Sequence, residues 1–161
     1  MADITTNSTQ AIRATAILSV ILWTKVVATN MGLGGAKMKA GGRAPEDTYQ
    51  VTDTSQITEE AKTAQDRAQR MVNNDLENIP YTLVLTWGSL YCITSAEAVD
   101  VKGYAMAHII ILFSIFVVCR ILHSIVYSMG LSTARSLVWL MGLLCSFGIG
   151  INGAIAAFKI Q

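Results

Sequence analysis

The sequence predicts an all-α integral membrane protein, a four-transmembrane-helix bundle forming one domain over 1–161. Two observations carry this. Hydrophobic residues make up 52% of the chain and charged residues only 14%, more apolar than an ordinary soluble domain, and 161 residues are too few for two membrane domains. The chain also holds uncharged stretches from Ala14 to Thr24, Asn78 to Ala96, Gly103 to Cys119 and Ser136 to Phe158. The last three approach or exceed the ~20 residues with which a helix crosses ~30 Å of hydrocarbon, and the first does so if Lys25 is tolerated inside it. The expected spans are 12–34, 76–96, 103–128 and 133–158, with a polar loop at 35–74.

The first span lacks a small-residue cleavage site after a short apolar region, so it reads as a retained signal anchor with the mature N-terminus near Met1. Gly34-Gly35 and Gly41-Gly42 are expected to break its helix, and Pro45-Glu46-Asp47 to turn into a short helix. From Thr58 the sequence is rich in Ala, Glu, Lys, Gln and Arg and free of Gly and Pro up to Pro80. This predicts one long helix, capped at Thr58 with Glu59 and Glu60 in its first turn, that runs on into the second span. Arg135-Ser136 opens the fourth span as an interfacial anchor. Beyond it Gly142, Ser146, Gly150 and Ala154 recur every four residues, a small-residue seam for close helix approach.

Four spans place both termini on one side and the large loop, with the turn near Gly130, on the other. The loop side holds Lys37, Lys39, Arg43, Lys62, Arg67, Arg70 and Arg135, against Arg13, Lys102 and Lys159 opposite. The positive-inside rule makes the loop cytosolic. The sequon Asn7-Ser8-Thr9 would then face the lumen, close to the first span. A net charge of +1, with no basic cluster denser than Lys37, Lys39 and Arg43, argues against a nucleic-acid partner. Cys92, Cys119 and Cys145 fall one per span without metal-ligand spacing and read as packing residues, so no metal is expected.

Two polar constellations stand out. Arg67, Arg70, Asn74 and Glu77 lie at i, i+3, i+7 and i+10 on one helix face, with Asp75 pointing elsewhere. Such a stripe, where water gives way to lipid, is either a solvated face or a site for a small zwitterion carrying carboxylates and an ammonium. Arg120, His123 and Tyr127 repeat the spacing in the third span. An arginine inside a span needs a carboxylate, and Asp75 is the expected partner in a structural ion pair with Arg120. His123 and the isolated His108 are expected to hydrogen-bond neighbouring helices, and Lys25 to snorkel or to pair with Glu77.

These residues resemble the membrane-associated proteins in eicosanoid and glutathione metabolism, the MAPEG family. Arg70-Met71-Val72-Asn73-Asn74-Asp75-Leu76-Glu77-Asn78 with Pro80 is similar to the family's Arg-x-x-x-Asn-Asp-x-Glu-x-x-x-Pro pattern. Its Asn-Asp-Leu-Glu-Asn core resembles the microsomal glutathione transferases in particular. Arg120-x-x-His123-x-x-x-Tyr127 followed by Arg135 supplies a second signature, and Lys25 and Pro45-Glu46-Asp47 resemble two more, in order. The chain departs from the pattern at Asn73, usually basic, at Val72, often His, and at Trp139, often Tyr. Pro80 also comes one residue early, and the interval from Tyr127 to Arg135 is one residue short.

The resemblance implies a homotrimer of four-helix bundles with glutathione, as substrate or cofactor, bound between subunits near the cytosolic surface. Lys37, Arg70, Asn74, Glu77, His123 and Tyr127 would bind it, and Arg135, Ser136 and Tyr127 would be catalytic, Arg135 beside the sulfur and Ser136 as a hydroxyl donor. The implied function is a membrane glutathione transferase that activates the thiolate toward hydrophobic or lipid electrophiles, with peroxidase activity toward lipid hydroperoxides. The alternatives are a glutathione-dependent prostaglandin E synthase-type isomerase and a non-catalytic lipid-binding scaffold. Lys159-Ile160-Gln161 carries no retention signal to choose between the endoplasmic reticulum or mitochondrial outer membrane, if the cell is eukaryotic, and a bacterial membrane.

Overall fold

The structure, a computed structural model, describes residues 8–44, 46–47, 57–96 and 99–160. Pro45, in the expected turn motif, and Asn7, in the sequon, lie outside the described residues. Among the described residues four helices follow in order, α1 Ser8–Ala40, α2 Glu59–Ser95, α3 Val99–Ser128 and α4 Ser132–Ala157.

The long second helix forms as its sequence dictates. Thr58 adopts an extended backbone and its hydroxyl accepts the Ala61 amide at 3.1 Å, while Glu59 and Glu60 sit against the positive helix end. The expected break at Gly34-Gly35 does not occur, because α1 continues to Ala40. Leu33 and Ala40, two turns apart, are both buried, so packing on either side of the glycines holds the helix through them at a cost of about 1 kcal/mol each. The helix ends instead at Gly41, whose φ of 69° only glycine adopts freely, and Gly42 N–H donates to the Lys37 carbonyl at 3.0 Å. The same device closes α3. Gly130 has a φ of 75°, and the Gly130 and Leu131 amides donate to Tyr127 and Val126. This short reversal starts α4 at Ser132.

Cross-helix contacts set the arrangement. Lys25 meets Asp75 and Trp87 donates to Ser19, so α1 and α2 run antiparallel. Thr82 bonds Ser146 at 2.7 Å and Ser89 donates to the Ile149 carbonyl at 2.9 Å, which makes α2 and α4 parallel. Asn152 donates to the Ala105 carbonyl at 2.8 Å and pins α4 antiparallel to α3. Leu22, Ile79, Phe113, Phe116, Val117, Cys145 and Ile149 form one part of the core, and Ala11, Leu90, Ile93, Met106, Ile109 and Ala156 another. Cys119 and Cys145 are buried packing residues, and Cys92 is half-buried. The outer faces of α1, α3 and α4 are covered by large apolar side chains such as Val20, Trp23, Ile115, Val118, Leu140 and Phe147. These three helices are long and apolar enough to cross a membrane.

The small-residue seam of α4 shifts from its expected course. A strict four-residue step drifts by about 40° around a helix, so Ala154 is exposed and Gly153 faces α2 instead. A Cβ on Gly153 would come within 2.6 Å of Ser89 Cβ and 2.7 Å of its Cα. Gly153→Ala is therefore expected to push α2 and α4 apart and cost about 1–3 kcal/mol, read as a lower unfolding midpoint in detergent. An unchanged midpoint would refute this contact.

Candidate functional site

At the end of the bundle where α1 and α3 finish and α2 and α4 begin, a cavity of ≈ 540 Å³ is lined by Arg70, Asn73, Asn74, Glu77, His123, Tyr127, Arg135, Ser136 and Trp139. Three helices supply it. The 4,3 spacing keeps Arg70, Asn74 and Glu77 on the one side of α2 that lines the cavity, and α3 contributes His123 and Tyr127 one turn apart. The tight reversal at Gly130 brings Arg135 back beside Tyr127.

Arg135 lies with its guanidinium carbon 4.8 Å from the centre of the Tyr127 ring, a stacked geometry that fixes an otherwise flexible side chain. The Tyr127 ring in turn meets the His123 ring at 5.6 Å, tilted by 57°. His123 is buried at 2% exposure, yet among the described residues the interhelical hydrogen bond expected for it does not form and its Nδ1 has no partner. An unpaired buried imidazole nitrogen on a cavity wall is costly unless a ligand meets it. Ser136 donates its hydroxyl to the Ser132 carbonyl at 3.1 Å, so it must turn to serve a ligand.

A second hollow of ≈ 300 Å³, lined by Thr63, Asp66, Arg67, Arg70, Tyr127 and Arg135, adjoins the first through three shared residues. Arg67 Nη1 donates to the Ser128 carbonyl at 3.2 Å and ties α2 to the end of α3. Among the described residues none of Arg67, Arg70 and Arg135 pairs with a carboxylate. Three guanidiniums thus line the joined hollows, together with the carboxylates of Glu77 and Asp66, a charged lining that suits a ligand bearing both anionic and cationic groups. Among the described residues no three His, Cys, Asp or Glu side chains converge as metal ligands.

Behind the cavity the expected Arg120–Asp75 ion pair is replaced by two separate contacts. Asp75, at 1% exposure, pairs through Oδ2 with Lys25 and also accepts from Thr29 at 3.2 Å. Arg120, equally buried, donates from Nη1 to Asn74 Oδ1 at 2.8 Å. Successive residues on a helix point about 100° apart, so Asp75 turns to α1 while Asn74 turns to α3. Lys25 thus pairs with Asp75 and not with Glu77, which stays exposed on the cavity. His108, expected to bond a neighbouring helix, lies exposed on the outside of α3 and makes no hydrogen bond among the described residues.

Seven of the residues singled out in the sequence meet in the cavity, namely Arg70, Asn74, Glu77, His123, Tyr127, Arg135 and Ser136. Lys37 does not line it; it sits half-buried in the last turn of α1, where its carbonyl accepts from Gly42. Trp139 and Asn73 line the wall without having been singled out as ligands. The i+4 spacing from Arg135 to Trp139 was the available signal.

Fold and site together define a helical membrane protein with a polar, arginine-lined cavity at one end of its bundle. A model of the MAPEG family matches residues 11–155, and the chain belongs to that family. Neither the curated proteins nor the solved structures contain a match to it. Members of the family use glutathione, and membership supports a membrane function in glutathione or eicosanoid metabolism.

Proposed function

We propose that this protein is a membrane glutathione transferase that holds the glutathione sulfur as a thiolate for conjugation to hydrophobic electrophiles, and for reduction of lipid hydroperoxides. The observation that supports the reading is the meeting, from α2, α3 and α4, of Arg70, Asn74, Glu77, His123, Tyr127, Arg135 and Ser136 around one cavity. Glutathione carries two carboxylates, an ammonium and a thiol, and the cavity carries a counterpart to each. Arg70 and Asn74 suit a carboxylate, Glu77 suits the ammonium, and the stacked Arg135 suits a developing sulfur anion.

A thiol with a pKa of about 8.5 is mostly protonated at neutral pH, and glutathione supplies a nucleophile only as the thiolate. Lowering that pKa by about two takes about 2.7 kcal/mol, which one guanidinium and one hydroxyl can supply in a partly dry site. Arg135 is the guanidinium, and Tyr127 or a rotated Ser136 the hydroxyl. In this reading α2 is a fourth span, the cavity end faces the cytosol, and three copies assemble so that Lys37 of a neighbouring copy reaches the site.

Calorimetry on folded protein in detergent is expected to show saturable binding of millimolar glutathione, weakened about tenfold or more by Glu77→Gln through loss of a charge-assisted bond. No heat of association would end the reading. Product analysis separates the neighbouring chemistries, since conjugate formation marks a transferase and rearranged lipid without glutathione consumption marks an isomerase.

A further inference from the structure

Arg120 is 1% exposed, and with Asp75 engaged by Lys25, its one hydrogen-bond acceptor among the described residues is the neutral amide of Asn74. Its Nε has no hydrogen-bond partner among the described residues. A guanidinium only donates, so the Asn74 atom facing it is the carbonyl oxygen; a flipped amide would set N–H against N–H. Asn74 also lines the cavity. With Oδ1 committed to Arg120, the amide NH₂ is the end left to meet a ligand, and a positive charge behind the carbonyl polarises those N–H groups into stronger donors.

We infer that Arg120 is a positioning residue that makes Asn74 an obligate donor, so that the site reads a carboxylate at Asn74 one helical turn before Glu77 reads an ammonium. An asparagine free to turn would accept or donate and would tolerate an amide in place of the acid. Held by Arg120, it discriminates between them. The inference rests on the glutathione reading above and specifies how that reading is enforced.

The test compares glutathione with its two carboxamide analogues, one amidated at the glycine carboxylate and one at the γ-glutamyl α-carboxylate, by calorimetry on the full chain in detergent. The wild type is expected to bind glutathione at least tenfold more tightly than one of the two amides. Asn74→Asp keeps an acceptor for Arg120 but turns an oxygen toward the ligand, and is expected to reverse that preference. Arg120→Met frees the amide to turn and is expected to shrink the preference to within about threefold, with Arg120→Lys restoring part of it because an ammonium also only donates. Thermal unfolding verifies that each variant is folded, and if Arg120→Met does not fold, Arg120→Gln, whose neutral amide can accept as well as donate, takes its place. A purely structural stitch between α2 and α3 would leave the ratio untouched in the Arg120 variants, so a folded Arg120→Met or Arg120→Gln with the wild-type ratio overturns the inference, as does a folded Asn74→Asp that keeps that ratio. So does a wild type that binds glutathione and both amides equally, which leaves the glutathione reading standing. A wild type that binds none of the three overturns both.

Discussion

Arg135→Ala is expected to lower kcat/KM for conjugation of a chlorinated aromatic electrophile by about 10²–10³-fold, the usual consequence of removing one preorganised donor from a developing anion. The size of the effect follows from the setting of this side chain. Its guanidinium stacks 4.8 Å from the Tyr127 ring centre, and among the described residues no carboxylate neutralises it. Its charge is therefore held in place and available to a sulfur in the cavity it lines. Arg135→Lys keeps the charge but loses the stacked planar fork, and should fall between wild type and alanine. In the proposed reading glutathione affinity rests on Arg70, Asn74 and Glu77, so it is expected to fall much less and the loss should appear mainly in kcat. The ultraviolet absorbance of bound thiolate gives an independent readout and should vanish in Arg135→Ala. Full conjugation rates in a folded alanine variant would remove Arg135 from the mechanism.

The second large effect concerns stability. Asp75→Ala is expected to cost about 3–5 kcal/mol, because it leaves the ammonium of Lys25 buried between helices without its counter-charge. Lys25 and Asp75 have side chains 9% and 1% exposed, so water cannot compensate, and Thr29 loses an acceptor at the same stroke. Adding Lys25→Met to Asp75→Ala removes the orphaned charge and should recover much of the loss, as replacing a buried pair by apolar side chains often does. Unfolding in denaturing detergent measures all three proteins. Should Asp75→Ala unfold at the wild-type midpoint, the pair contributes nothing and the buried-charge argument fails.

What could be read in advance was whatever depends on local periodicity and local termini. The start of α2 followed from Thr58, Glu59 and Glu60, since a cap acts within three residues of itself. The shared face of Arg70, Asn74 and Glu77 followed from 3.6 residues per turn, and the placing of His123 and Tyr127 from the same rule. Where the rule was applied too rigidly it failed. The four-residue seam of α4 slid from Ala154 to Gly153, and the pair Gly34-Gly35 did not end α1 because Leu33 and Ala40 are packed on either side.

By itself the sequence determined that the chain is apolar helices with a polar stripe at one end, because composition and period are properties of each segment alone. Only the tertiary structure decided who meets whom. Asn74 and Asp75 are neighbours in the chain, yet one serves Arg120 on α3 and the other Lys25 on α1. The roughly 100° between them on α2 is local geometry, but which helix lies in each direction is set by packing across the whole bundle.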